Sequence, residues 1–237
     1  MPEEISTPRL ILRPVESGAA REVLDGRGPT GLRLADGYPS RFSLDLVAVA
    51  IEGSSSRDVG PFFVVRRADR TVVGEIGCRL DTPRTTAHVG YTIVESCWNR
   101  GYASEALRGL IDYLLHGLSV PRVEAETLAS HVASRRVMEK AGMTLGATRR
   151  FGEQADSVEL VSYAAMLGSW SLPALTVPPD ASTDLPRRAL VRAQSRTETG
   201  AMSSAMSSVM AGVVSTLSRT AGWPPARPAG GMRSRAR

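Results

Sequence analysis

Cysteine is scarce. Cys78 and Cys97 are the only two in 237 residues, and their spacing suits no metal site, so two small buried thiols, reduced in the cytoplasm, are expected. Long uncharged apolar runs are missing and mean hydropathy is near zero, so no membrane-spanning helix is expected. The N-terminal MPEEISTPRL is acidic and lacks the apolar core of a secretory signal. No Walker A pattern, HExxH or GxSxG occurs, which removes three common routes to nucleotide binding, zinc hydrolysis and serine catalysis. The single asparagine, Asn99, lies outside any glycosylation sequon.

What remains is an ordinary globular composition, 42% hydrophobic and 22% charged, enough for one domain plus extra material. The pI near 9.7 invites a nucleic-acid reading. From Ser171 onward, however, there are nine arginines, no lysine and three acids, a net of +6, against 20 basic and 21 acidic residues before it. The excess therefore belongs to the tail, whereas a nucleic-acid-binding domain normally carries its basic stripe on the fold. Residues 171–237, rich in Pro, Ser, Thr, Ala and Arg, read as a disordered tail that allows a weak, salt-dependent contact with a polyanion. Met202, Met206, Val209, Val213 and Leu217 share one helical face, which predicts a short helix within 201–219; its serine-rich polar face argues against a membrane.

Before the tail, the pattern predicts a strand over Arg9–Val15, a helix over Glu16–Asp25, a loop over Gly26–Ser40 and a helix over Ser43–Glu52 with Ser43 as its cap. After a serine linker at 54–56 come three strands, Phe62–Arg67, Thr71–Arg79 and His88–Val94, whose short turns imply an antiparallel meander. Gly74 and Gly77 inside the second mark a bulge or a close approach. The strongest periodicity follows Gly101: Ala103, Ala106, Leu107, Leu110, Ile111 and Leu114 form one buried helical face, ended by Gly117. Arg122–Leu128 alternates as a half-buried strand parallel to the one before the helix. A helix over Val132–Ala141, a hairpin of Met143–Arg150 with Val158–Met166, and Trp170 close the domain.

The stretch Gly90–Leu107, GYTIVESCWNRGYASEAL, delivers a strand through a small-residue turn to a helix N-terminus, where unpaired N–H groups and the helix dipole suit an anion. Together with STPRLILRPV, VVGEIGCRL and VEAETLASHVASRRVMEKAGMTLGATRR, it resembles the GNAT superfamily of N-acetyltransferases, in particular the branch of the ribosomal-protein acetyltransferases RimJ and RimL. The resemblance spans residues 7–170. It implies an α+β acyl-CoA N-acyltransferase fold: a mostly antiparallel mixed sheet with splayed central parallel strands and flanking helices.

It also implies acetyl-CoA as donor, with no metal. Trp98, Asn99, Arg100, Gly101, Tyr102, Ala103 and Ser104 occupy the family's pyrophosphate loop, and Ile93 and Val94 would offer backbone groups to the pantetheine arm and the oxyanion. His131 stands where the family has a cofactor-contacting Asn, with Ser130 able to take over capping, and Ser134 keeps the family's serine. Met138 replaces the tyrosine that often protonates the departing thiolate, leaving Ser134 or water. Glu75 is the first candidate for the base that takes the amine's proton, with a solvated strand carboxylate as the plain alternative. His88 reads as exposed or hydrogen-bonded, and Glu95 as a surface charge or a contact to a cationic substrate. The acceptor would be a protein N-terminus or a small-molecule amine, and the protein a monomer or a homodimer. The competing classes are an acyl-CoA-binding module without turnover and an interaction protein working through its basic tail.

Overall fold

The structure, a computed structural model, describes residues 4–52, 58–151 and 157–173. The expected linker at 54–56 and nearly all of the tail, including 201–219, lie outside them.

A short hairpin of β1 (Ile5–Ser6) and β2 (Leu10–Pro14) leads to α1 (Ser17–Leu24). β3 (Arg33–Leu34) interrupts the stretch read as pure loop; two residues are too few to show a period. α2 (Arg41–Glu52) begins two residues before Ser43, because the cap is Ser40. The Ser43 amide donates to Ser40 Oγ at 3.1 Å and the Ser40 amide to Ser43 Oγ at 3.1 Å, a reciprocal cap of both residues. The meander is β4 (Asp58–Arg66), β5 (Thr71–Leu80) and β6 (Thr86–Ile93). β4 starts earlier than expected because Pro61 sits at a register shift between Val59 and Phe62, where a missing N–H is tolerated. α3 (Tyr102–Asp112) runs on through a wider π turn to Gly117, followed by β7 (Arg122–Leu128), α4 (Val132–Lys140), β8 (Thr144–Phe151) and β9 (Val158–Met166).

The strands form one sheet in the order β1-β2-β4-β5-β6-β7-β9-β8. β4–β5–β6 is the expected antiparallel meander, β6 and β7 are the parallel pair around α3, and β9 lies between β7 and its hairpin partner β8. β3 pairs in parallel with Thr71 and Val72 of β5. β4 already covers the other edge of those residues, so β3 occupies the β6 side, just beyond the point where β6 ends opposite Gly74.

The two glycines of β5 are tight approaches. A Cβ on Gly74 would lie 2.0 Å from the Thr92 carbonyl oxygen, and one on Gly77 would lie 3.2 Å from Pro61 Cα. On one face of the sheet, Leu107, Leu110, Ile111, Leu114 and Leu115 are fully buried, as are Leu10, Leu12 and Phe62. Each such side chain contributes about 1.5–3 kcal/mol. Gly109 of α3 lies against Thr7, Ile5 and Leu12, which fixes this helix on the Leu12 face. Trp170 is buried and its indole N–H donates to the Ala141 carbonyl at 3.1 Å, closing the end of α4.

Candidate active site

The parallel strands β6 and β7 share only three register pairs: Thr86 with Arg122, Ala87 with Val123 and His88 with Glu124. Beyond His88 they part. β6 continues against β5 as far as Ile93, while β7 continues against β9 as far as Leu128. A wedge therefore opens between them at their C-terminal ends, where the chain turns into α3 on one side and α4 on the other. Open sheets place ligands at such ends.

The wedge has polar edges. Val94 donates its N–H to the Val73 carbonyl at 2.9 Å, so Val73 and Val94 are a hydrogen-bonded pair. Antiparallel alternation then turns the N–H and C=O of Ile93, Tyr91 and Val89 toward the wedge. This corrects the expectation for Val94. Its N–H is taken by Val73 and its carbonyl by the Cys97 amide at 2.9 Å, so it has nothing to offer a ligand. Ile93 turns its N–H toward the wedge, but its carbonyl is engaged: the exposed Trp98 folds back and donates its indole N–H to it at 2.6 Å.

The loop after β6 makes a single turn of 3₁₀ helix, Glu95–Cys97, then takes left-handed backbone at Asn99 (φ 59°) and Gly101 (φ 77°). Gly101 is the N-cap of α3 and brings no side-chain cap. The first bond of the helix runs from the Glu105 amide to the Gly101 carbonyl at 3.0 Å, which leaves the amides of Tyr102, Ala103 and Ser104 ahead of it as donors. The side chains of Tyr102 and Ser104 are buried, so only their backbone could meet a phosphate. The Arg100 side chain is exposed.

One arginine near this turn has no signal in the local motif. Arg9 of the β1–β2 turn donates Nη1–H to the Arg100 carbonyl at 3.1 Å and stands 5.1 Å over the Tyr102 ring. Its Nε–H and its backbone N–H both reach the buried Glu105 carboxylate at 2.7 Å, which also accepts from the Thr7 hydroxyl at 2.7 Å. The start of α3 is thus bolted to the first strands of the sheet by residues almost a hundred positions away.

Across the wedge, His131 is the N-cap of α4 but its side chain makes no capping bond. Its Nδ1 instead lies 3.2 Å from Thr127 Oγ1, and burial lowers its pKa, which favours the neutral ring. The Ser130 side chain does not take over: only its carbonyl is engaged locally, by the Val132 amide at 2.9 Å. Ser134 Oγ lies 2.9 Å from the hydroxyl of Tyr91, which reaches over from β6. Burial pushes the Tyr91 phenol up to about 12. Met138, one turn further along α4, is buried in the core.

Glu75 lies on the opposite face. It pairs in register with Thr92 and Phe63, one residue from the Ile76–Tyr91 pair, so its side chain points away from α4. It is not the solvated carboxylate of the plain alternative: it is 0% exposed, with Tyr38 and Ser43 as polar neighbours. Neither of its oxygens nor the Tyr38 hydroxyl makes a hydrogen bond of good geometry, although Tyr38 and Ser43 are near enough to offset part of the cost of burying the carboxylate. Burial pushes Glu75 up to about 7 and raises Tyr38, with the nearby carboxylate adding to the second shift. The Tyr38 segment is held beside the wedge by Ser96, whose hydroxyl donates to the Asp36 carbonyl at 2.6 Å.

His88 sits beside Glu124 at 3.8 Å, in the last paired position before the wedge, and Glu95 is exposed. Among the described residues no cluster of His, Cys, Asp and Glu could hold a metal ion, and no helix is long and apolar enough to cross a membrane. Cys78 and Cys97 are both buried.

The family model of the acetyltransferase (GNAT) domain matches residues 9–144. The uncharacterised N-acetyltransferase p20 of Bacillus licheniformis is 29% identical over 91 residues, which cover 38% of this chain and 49% of that protein. The chain thus spans about half the length of this relative. Among solved structures, a GNAT-family acetyltransferase from Bacillus anthracis superposes with a TM-score of 0.54 at 19% identity, over 69% of this chain and 98% of that one. RimL, a ribosomal L7/L12 α-N-protein acetyltransferase solved with coenzyme A, gives 0.51 at 16% identity, over 70% and 98%. At these identities the structural likeness establishes the fold. With a family model matching more than half of its length, the chain belongs to the GNAT acetyltransferase family.

Proposed function

We propose that the protein moves the acetyl group of acetyl-CoA to a primary amine by direct attack in a ternary complex. The observation that carries this is the wedge: two parallel strands that part after three register pairs, with the uncapped start of α3 at the open end. A pantetheine arm is long, thin and amide-bearing, and would lie along β6 as a further strand. The amides of Tyr102, Ala103 and Ser104 would receive the pyrophosphate, with Asn99 and Gly101 supplying the left-handed turn that exposes them and Arg100 adding charge. Trp98 fixes the end of β6 through Ile93, and His131, neutral at the mouth of the wedge, would face the arm.

The chain's groups divide the chemistry between two faces of the sheet. The Ile93 N–H, turned into the wedge, would donate to the oxyanion as the amine attacks. Glu75, on the other face, would accept the amine's proton. A carboxylate held near 7 suits a base at neutral pH. Being sealed, it needs the Tyr38 segment to yield or a relay of water. The acceptor is a primary amine on a small molecule or a protein N-terminus, the latter being the substrate class in the name of RimL.

Two measurements test the reading. Acetyl-CoA at about a hundredfold over its Kd should stabilise the full chain by about 2.7 kcal/mol, seen as a rise in melting temperature, while a charge-matched nucleotide lacking the pantetheine arm should do less. Free-thiol release from acetyl-CoA across a panel of amines and N-terminal peptides should then identify the acceptor. No stabilisation by acetyl-CoA would remove the basis of the proposal. We further propose that residues 171–237 lie outside the catalytic fold: a chain ending at 173 should keep the acetyl-CoA shift, and its loss would make the tail part of the domain.

A further inference from the structure

The wedge is bridged at one point by two hydroxyls. Tyr91, from the part of β6 that has left β7, places its hydroxyl 2.9 Å from Ser134 Oγ and 3.2 Å from the Ser134 carbonyl, in the first turn of α4. Both side chains are half-buried. The other charged groups of α4 nearest to Ser134 are engaged elsewhere. Arg135 donates Nε–H to the Tyr163 hydroxyl at 3.2 Å and Nη1–H to the Ala129 carbonyl at 3.1 Å, and the Tyr163 hydroxyl donates to Glu139 at 2.8 Å. His131 faces Thr127. The hydroxyl pair is therefore the polar feature that α4 and β6 jointly present at the wedge, on the face opposite Glu75.

We propose that Tyr91 is a positioning residue for the departing sulfur: its hydroxyl donates to Ser134 Oγ, which aims the Ser134 O–H into the wedge to donate to the thiolate. This rests on the donor site proposed above. Tyr91 has one proton and two acceptors within reach. When that proton goes to the Ser134 carbonyl, the Ser134 O–H can direct its own proton to the Tyr91 oxygen instead of the wedge. When it goes to Ser134 Oγ, the serine proton turns outward. Donation by the phenol also polarises the serine hydroxyl and makes it the stronger donor. The step balances without further reagents. The C–N bond forms and the C–S bond breaks, the electron pair stays on sulfur, and Ser134 keeps its proton while hydrogen-bonding the thiolate. The thiolate takes its proton from solvent as coenzyme A leaves, and the amine's proton leaves by way of Glu75. The phenol, well above neutrality, remains a donor throughout.

The test needs no acceptor. Coenzyme A bound to the full chain is titrated with pH, and its thiolate is followed by ultraviolet absorbance. Ser134→Ala should raise the bound thiol's pKa by about one unit, the loss of one hydrogen bond to a charged group. Tyr91→Phe, which keeps the ring and removes only the hydroxyl, should raise it by about half as much, and Ser134→Thr should restore the wild-type value. A bound thiol pKa that is unchanged in Tyr91→Phe overturns the inference. Should Tyr91→Phe fail to fold, an unchanged value in Ser134→Ala overturns it equally. Failure of the wild-type chain to bind coenzyme A sinks the donor site itself, whereas binding with an unperturbed thiol in every variant sinks only the role of the hydroxyl pair.

Discussion

Arg9 and Glu105 are 96 residues apart in sequence and 2.7 Å apart in the fold, and the Glu105 side chain is 1% exposed. The carboxylate accepts from the Arg9 Nε–H, the Arg9 amide and the Thr7 hydroxyl, so most of its acceptor capacity is filled. Removing one partner of such a pair leaves a buried charge uncompensated, which costs about 3–5 kcal/mol. Glu105→Ala should therefore lower the melting temperature by about 6–20 °C. Because the pair is shielded, the loss should be nearly the same at low and high salt. A drop that vanishes at high ionic strength would show the pair to be a surface contact.

Glu75 makes the opposite contribution, and its sign follows from linkage. Its pKa is 4.5 as a free side chain and about 7 in the fold, so between those values the folded state holds a proton that the unfolded state has lost. Stability therefore falls as pH rises from about 4.5 to 7, by at most about 3 kcal/mol, and stays reduced above that. Glu75→Gln should flatten this slope and melt higher than wild type at pH 8. The same titration should appear in turnover as a rising limb near pH 7, because only the ionised carboxylate can take the amine's proton. A melting curve whose pH slope over this window is identical in Glu75→Gln would remove Glu75 as its source.

The Thr92 carbonyl oxygen occupies the place where a side chain on residue 74 would begin, 2.0 Å from that ideal Cβ. The obstacle is backbone, so it cannot swing aside as a side-chain tip would. Gly74→Ala should force β5 and β6 apart at their open end, costing several kcal/mol and weakening acetyl-CoA binding more than tenfold. Gly90, facing open space on the same sheet, is the control: its alanine variant should bind normally. Equal behaviour of the two would mean that the end of β6 does not shape the donor site.

Much of this was legible beforehand, and the exceptions have physical causes. β7 runs from Arg122 to Leu128 as its alternation predicts, and α3 follows its apolar face to Gly117. Short-range periodicity reports which face is buried: β7 alternates at its start, and the apolar stripe of α3 lies in the core. Gly74 and Gly77 announced tight approaches without naming what approaches. β3 was invisible because two residues carry no period, and the Ser40 cap because Ser43 is also a good capping type. The strand, left-handed turn and helix start on which the proposed donor site rests were readable because each is a local feature. The side-chain contacts of Arg9, Tyr38 and Tyr91 come only from tertiary placement, although Arg9 and Tyr91 lie within stretches whose pattern was readable. Val94 failed as a ligand for the same reason, since its partners Val73 and Cys97 are set by the fold.

Gly101 is the position where the donor site can be challenged most directly. Its φ of 77° is one that L side chains adopt at a cost of about 1–2 kcal/mol, and its added Cβ would meet only the tip of Arg9 at 3.4 Å. Gly101→Ala should therefore fold with a modest loss of stability and keep most of its affinity for acetyl-CoA, since the amides of Tyr102, Ala103 and Ser104 are untouched. Gly101→Glu pays the same backbone strain but sets a carboxylate where the pyrophosphate would lie, and should abolish the acetyl-CoA melting shift at concentrations that saturate the alanine variant. The comparison separates strain from charge. If both variants lose the shift, the turn's conformation governs binding; if neither does, the pyrophosphate is held elsewhere and the start of α3 is only a helix N-terminus.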